Sequence, residues 1–409
     1  MSIASGALKR FFLGRALRSD RLGDTLLPKR IALPVFASDA LSSVAYATEE
    51  ILLVLSAGGL ALIHFTWYAA AGVAFLMLVV VASYRQNVYA YPSGGGDYEV
   101  ATTNLGARAG VTVACALMVD YVLTVAVSVS SGVANIASAI PSLQAHVVVT
   151  AVVLVLVIML LNLRGVRESG TAFAVPTYAF IGGIAVLIAI GLTKLASGHH
   201  ITAESAHLHY HASSSYTGFA LVFLLLRSFA SGCTALTGVE AISNGVPAFQ
   251  KPKSKNAATT LALLGGIAVS MFAAITAFAI IGHVHVANDP TALGLAQGAH
   301  TRTVIAQVGA SIFGSDHAIG FFYLQFTTAL ILVLAANTAF NGFPVLASIL
   351  ARDGYLPRQL HSRGDRLAFS NGILLLAGFA ILLIVLFSAS PTRLIQLYIV
   401  GVFVSFVNS

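Results

Sequence analysis

A chain of 409 residues in which 57% are hydrophobic, only 9% are charged and the mean hydropathy is +0.88 is far more apolar than a soluble protein, whose charged share is about a quarter. It reads as an all-α polytopic membrane protein, and the net charge of +7 does not make it a nucleic-acid binder, because the basic residues fall in short loops between apolar runs instead of on one soluble face. The two cysteines, Cys115 and Cys233, lie in apolar segments, which gives no disulfide framework.

The first thirty residues, with "LKRFFLGRALRSDR", mix cations with apolar residues and run straight into a full-length apolar segment, so they read as a cytoplasmic interfacial segment and not a cleaved leader. Runs of roughly 20 apolar residues, enough to cross about 30 Å of hydrocarbon, follow at 31–56, 64–84, 107–138, 146–163, 171–196, 218–247, 258–283, 317–349 and 369–388. A tenth opens at about 392 and reads as truncated, leaving a transport domain over 31–409. The cations test this list. Lys9, Arg10, Arg15, Arg18, Arg21, Lys29 and Arg30 precede the first span, and Arg85 with Arg108, Arg164 with Arg167, Lys251 with Lys253 and Lys255, and Arg352 with Arg358, Arg363 and Arg366 fill alternate loops. The other loops hold only Lys194, Arg302 and Arg393, with Arg227 near the start of a span, so the N-terminus is expected in the cytoplasm of a plasma-membrane protein.

Two spans carry the same anomaly. "SDALSS" (Ser38 to Ser43) in the first and "SGCTALTGVE" (Ser231 to Glu240) in the sixth put small and hydroxylated residues where a lipid-facing helix would have leucine and valine. Five spans separate them, as in a five-plus-five inverted repeat (about 31–196 and 218–409) whose first and sixth helices are broken around a midplane site. Close packing of small residues is the plainer alternative for either span alone. Buried acids favour the site: Asp39 lies roughly 12 Å into its span at 1.5 Å per residue, Asp120 is as deep in "VDYVLTVAVSVSSG", and Glu240 closes the sixth-span motif. An intramembrane aspartate disfavours insertion by about 3 kcal/mol, so it normally has a task. Asp120, Thr124 and Ser128 share one helical stripe, with Tyr121 beside it. Carboxylates, hydroxyls and freed carbonyls together suit a hard monovalent cation.

The segments "FASDALSSVAYATEE", "YPSGGGDY", "VDYVLTVAVSVSSG", "NLRGVRES", "SGCTALTGVEAISN", "LILVLAANTAFNGFP", "RGDRLAFSNG" and "LYIVGVF" resemble, in order and spacing, the KimA-type potassium–proton symporters, the potassium-uptake branch of the amino acid–polyamine–organocation superfamily. The resemblance implies a LeuT-like fold and potassium import coupled to protons. It implies that Asp39, Tyr46, Asp120, Tyr121, Thr124, Ser128, Thr237, Glu240 and Tyr398 line the potassium path, and that Glu240 or Asp39 carries the proton. Members of that family continue through two further helices and a nucleotide-sensing domain that mediates cyclic di-AMP inhibition and holds a homodimer together. Neither is found in these residues, so a homodimer is implied for the full-length protein only. No organic cofactor and no resident metal are implied beyond the transported cation, the proton and the surrounding lipid bilayer.

An amino-acid or polyamine permease of the same superfamily is the rival reading. Asp39 would repel a substrate carboxylate, which weakens the amino-acid version but not a cationic polyamine. An enzyme finds no support, since no nucleophile–base pairing or Cys/His metal spacing is present. "YPSGGGDY" lacks the ending of a phosphate loop and reads as a cytoplasmic turn or gating element. His199, His200, His207, His209 and His211 read as decorating a solvated outer loop, and "NDPTALGLAQGAHTRT" as another outer loop with room for a short lid helix.

Overall fold

The computed structural model of the chain describes residues 26–92, 96–164, 170–210, 216–296, 299–362 and 369–408. Residues 1–25 of the N-terminal interfacial segment, His211, Arg167, Arg363 and Arg366 lie outside the described residues. The fold is helical because a chain in hydrocarbon must satisfy its own backbone N–H and C=O groups. In chain order the helices are α1 (Lys29–Ser56), α2 (Thr66–Ala90), α3 (Gly96–Leu105), α4 (Ala107–Ala139), α5 (Val147–Leu163), α6 (Gly170–Ala196), α7 (Gly218–Gly232), α8 (Glu240–Asn244), α9 (Lys253–Ile281), α10 (Val304–Phe313), α11 (Ile319–Arg352), α12 (Ser370–Leu386) and α13 (Pro391–Asn408). Eight membrane spans among the described residues are long and apolar enough to cross, the sixth built from α7 and α8 together. The chain is an all-α polytopic membrane protein.

The spans divide into a centre and a rim. In α1, 83% of the most apolar stretch is buried, against 22% for the span containing α5, so α1 is the axis around which the others pack and α5 faces lipid. Its neighbours are α7, α6, α9 and α11, while α4 runs alongside α11 and α13. Thr48 and Thr276 hydroxyls, 2.8 Å apart, join α1 to α9. At the N-terminal face the start of the first span is clasped to the end of the sixth: Leu27 N–H donates to the Ala248 carbonyl at 2.8 Å, and Gln250 N–H donates back to Leu27 at 3.1 Å.

One expectation needs correction. The break read into "SDALSS" is absent, since α1 is one continuous helix of 28 residues. Two of its serines bond within the helix and do not unwind it: Ser42 and Ser43 hydroxyls donate to the Asp39 and Ala40 carbonyls, each at 2.8 Å. The tenth span is helical over 18 residues, Pro391–Asn408, up to the last described residue. In "YPSGGGDY", the residues from Gly96 onward open the helix α3. Among its described residues, the loop "NDPTALGLAQGAHTRT" contains one 3-10 turn, Pro290–Leu293, before α10 begins at Val304.

On the opposite face an ion-pair cluster ties two loops. Arg302 donates to Glu204 at 3.0 Å and to Asp316 at 2.6 Å, and His317 Nδ1 sits 2.6 Å from the other Asp316 oxygen. The Arg302 and His317 bonds hold the Asp316 carboxyl at about 2, below the usual value of about 3.9. Glu204 moves the other way because its desolvation outweighs the pull of the same guanidinium. A depressed carboxyl contributes stability above its unfolded value and loses it as pH falls toward the folded one. An Arg302→Gln variant should therefore melt no more than about 2 °C below the parent near neutrality, because solvent screens the pair, with the gap shrinking as pH drops below about 4. Thermal unfolding of the purified protein across that range checks it.

Candidate functional site: a buried carboxylate cluster

The sixth span opens where the first does not. Helix α7 ends at Gly232, a 3-10 turn covers Cys233–Leu236, Thr237 is extended (φ −62°, ψ 146°) and Gly238 takes φ +80° before α8 resumes at Glu240. The left-handed backbone at 238 is the conformation that glycine adopts without a Cβ clash. Space demands glycine too, because a Cβ there would lie 2.7 Å from both the Ala40 nitrogen and the Asp39 Cβ. The break is thus pressed directly onto Asp39 of α1.

Around that contact the structure gathers acids from three spans. Asp39 (α1), Asp120 (α4) and Glu240 (α8) are 7%, 5% and 6% exposed. They are close enough that the charge of Asp39 acts on Asp120, and those of Asp120 and Asp39 act on Glu240. Asp39 Oδ1, Asp120 Oδ1 and Glu240 Oε2 are buried without a hydrogen-bond partner among the described residues. An unpartnered buried carboxylate oxygen is expensive, and three together mark a place built for something that approaches oxygen from between them.

The hydroxyl residues read from sequence converge here as well. Tyr46, two turns on from Asp39 along the same helix face, interacts with the Thr237 side chain and senses the charges of Asp39 and Asp120. The Thr124 and Tyr398 hydroxyls are 2.8 Å apart, linking α4 to α13, and Tyr398 in turn senses Asp120, Asp39 and Tyr46. Tyr121 is held against Gly342 of α11, where an added Cβ would meet its ring at 2.7 Å, and it faces the fields of Glu240 and Asp120. Ser128 is buried one turn beyond Thr124 on the same stripe, roughly 6 Å further along α4. Thr237 is 1% exposed, its hydroxyl donating to the Thr234 carbonyl at 2.9 Å.

Two acids escaped the sequence reading. Asp97, in the first turn of α3, is 1% exposed and accepts from the Tyr84 hydroxyl at 3.0 and 3.1 Å. Its charge acts on Asp120, Tyr121 and Glu240. Glu50, at the far end of α1, is 2% exposed, with Oε2 unpartnered among the described residues. Its neighbour Glu49 accepts from the Val304 N–H at 3.0 Å, the start of α10, and lines a cavity of about 170 Å³ together with Asn288, His300 and Thr392. Of the loop histidines, His199 has its Nδ1 3.0 Å from the Ser197 hydroxyl. Among the described residues no group of three or more His, Cys, Asp or Glu is arranged to hold a metal ion.

Comparison with known proteins supplies the family. The amino acid permease family matches residues 32–408. The potassium transporter KimA of Bacillus subtilis (strain 168) is 47% identical over 403 residues, which is 98% of this chain and 63% of that protein. The chain therefore spans less than two thirds of that relative's length. A solved Na+-coupled sialic acid symporter in a substrate-bound outward-open state aligns over 97% of this chain and 81% of its own, with 13% identity and a TM-score of 0.47. With a match that runs from the start of the first span into the tenth, this chain belongs to the amino acid permease family.

Proposed function

We propose that the protein is a secondary transporter that imports potassium with protons by alternating access. The observation that carries this reading is the oxygen-only cluster with three unpartnered carboxylate atoms, Asp39 Oδ1, Asp120 Oδ1 and Glu240 Oε2, ringed by the hydroxyls of Tyr46, Thr124, Thr237 and Tyr398. A dehydrated monovalent cation supplies the positive charge that three packed carboxylates need, and the hydroxyls replace its water. The 47% identity to a potassium transporter supports the choice of potassium among such cations.

In this scheme the cation binds between α1, α4 and the break in the sixth span, and Thr237, Gly238 and Glu240 move with α8 to open one face or the other. Glu240 and Asp39 are the carboxyls that take up a proton when the cation leaves, so the cluster is never left with all its charge uncompensated. The two halves also mirror each other in element length. The third helix is the longest in each, 33 residues in α4 and 34 in α11, and the fourth has 17 in both α5 and α12, which supports the five-plus-five repeat. The cations at the N-terminal face, Lys29, Arg164, Lys251 and Arg352 among them, support a cytoplasmic N-terminus in the plasma membrane.

An amino-acid substrate is disfavoured by the continuity of α1, since the first span then offers no half-helix N-terminus to receive a carboxylate, and by the negative charge of Asp39. Tracer rubidium uptake in cells lacking their own potassium uptake, competed with potassium, arginine and putrescine, tests the reading. Potassium should compete and the organic cations should not. Uptake displaced by putrescine but not by potassium would make the protein a polyamine permease.

A further inference from the structure

The two acids at the far end of α1 stand apart from the Asp39–Asp120–Glu240 cluster, and the transport scheme above gives them no task. At 1.5 Å per residue, Glu50 lies roughly 16 Å beyond Asp39, toward the face opposite the N-terminal segment. Asp39, Tyr46 and Glu50 are spaced i, i+7 and i+11, which puts all three on one stripe of a continuous helix. Tyr46 senses the charge of Glu50 as it does that of Asp39. Glu50 is 2% exposed, and its Oε2 is buried with no hydrogen-bond partner among the described residues, the same costly condition as in the cluster. A cavity lies beside it. Its volume is about 170 Å³, and Glu49, Asn288, His300, Thr301 and Thr392 line it, with no lysine or arginine among the lining residues. The Glu50 side chain interacts with that of Thr392, so one hydroxyl joins the cavity wall to the unpartnered acid. Arg302, next in sequence to Thr301, has its guanidinium engaged by Glu204 and Asp316. Water takes about 30 Å³ per molecule in the liquid, so the space admits a cation with several of its waters.

We propose that this cavity is a separate cation-binding site, in which the Glu49 carboxylate and the Thr392 hydroxyl hold a partly hydrated monovalent cation, and that Glu50 receives the ion from it on the way along the Tyr46 face of α1 to the cluster. This rests on the cation-transport reading above. A negative charge on the wall of a cavity free of cationic side chains concentrates cations there before they enter the span. Glu50 then offers an oxygen that no protein group occupies, so water is exchanged for protein ligands in steps and the desolvation cost is divided. Glu49 is held in place for this by the Val304 N–H, which donates to its Oε2 at 3.0 Å.

The alternative role for Glu49 is to anchor the start of α10 through that bond. Glutamine separates the two roles, because its side-chain carbonyl still accepts the Val304 N–H while the charge is gone. Initial rates of tracer rubidium uptake should be measured over a range of rubidium concentrations for the parent protein and for Glu49→Gln, Glu50→Gln and Thr392→Val, normalised to the amount of each in the membrane. The expected result is a KM raised about fivefold or more in Glu49→Gln and Glu50→Gln and about twofold or more in Thr392→Val, with maximal rates within about twofold of the parent because the cluster itself is untouched. Should the buried Glu50→Gln protein fail to insert, Glu49→Gln and Thr392→Val decide the matter from the other walls of the cavity. An unchanged KM in both of those would overturn the proposal and leave the transport reading standing. A lowered maximal rate with an unchanged KM would overturn it in favour of an anchor. A parent protein that takes up no rubidium would remove the transport reading and this proposal together.

Discussion

A Gly238→Ala variant is expected to reach the membrane and lose rubidium uptake by more than tenfold. Two costs fall on the same methyl group. Holding a non-glycine residue in the left-handed region costs about 1–2 kcal/mol, and at φ +80° alanine has no other choice unless the break rearranges. The methyl would also sit 2.7 Å from the Ala40 nitrogen and from the Asp39 Cβ. That nitrogen is part of a continuous helix and cannot step aside as a flexible side chain would, so overpacking adds roughly 1–3 kcal/mol. Relief requires α1 and the break to separate, which moves Asp39 away from Thr237 and Glu240. Gly266→Ala in α9 and Gly378→Ala in α12 are matched controls, since a Cβ there meets nothing within 4 Å, and both should transport normally. Uptake per membrane-inserted molecule is the measurement, and a Gly238→Ala protein as active as these controls would show that the contact with Asp39 is not used.

Asp120→Asn should abolish cation uptake while leaving insertion intact and the folded protein no less stable. Asparagine keeps the shape of aspartate and removes one of three mutually repelling charges, so the empty cluster is relieved. The same change removes a charged oxygen from the cation's shell and replaces one carboxylate oxygen by an N–H donor that points positive charge at the ion. A loss of transport with an unchanged or raised melting temperature is therefore the signature of an acid kept for function. A fall in both would mean that Asp120 is structural.

Much of this could be read without coordinates, for identifiable reasons. Span positions follow from apolar runs, because only helices satisfy their backbone in lipid, and the observed helices start and end near those runs. The largest overshoot is α2, which continues to Ala90 through "SYRQNVYA", since a helix does not stop where hydrophobicity does. Asp39, Asp120 and Glu240 were conspicuous through their insertion cost, while Glu50 in the first span was passed over. Asp97 was not conspicuous, because an acid in a connection costs nothing on a hydropathy count; only the docking of α3 buries it. The serines of "SDALSS" misled for the opposite reason: hydroxyls that free a backbone and hydroxyls that bond back to their own helix look alike in sequence. Gly238 and the serine-flanked Asp39 carry the same kind of composition, and only the φ at 238 and the intact ladder through Ser42 and Ser43 tell a break from a straight helix.

The most direct test of a cation site built on buried carboxylates is simultaneous flux. The purified protein is reconstituted into liposomes that hold a pH-reporting dye, and an inward potassium gradient is applied. The expected result is potassium uptake accompanied by acidification of the lumen, with both signals lost in Asp120→Asn. Potassium uptake with no change in lumenal pH, or both signals persisting in Asp120→Asn, would contradict it.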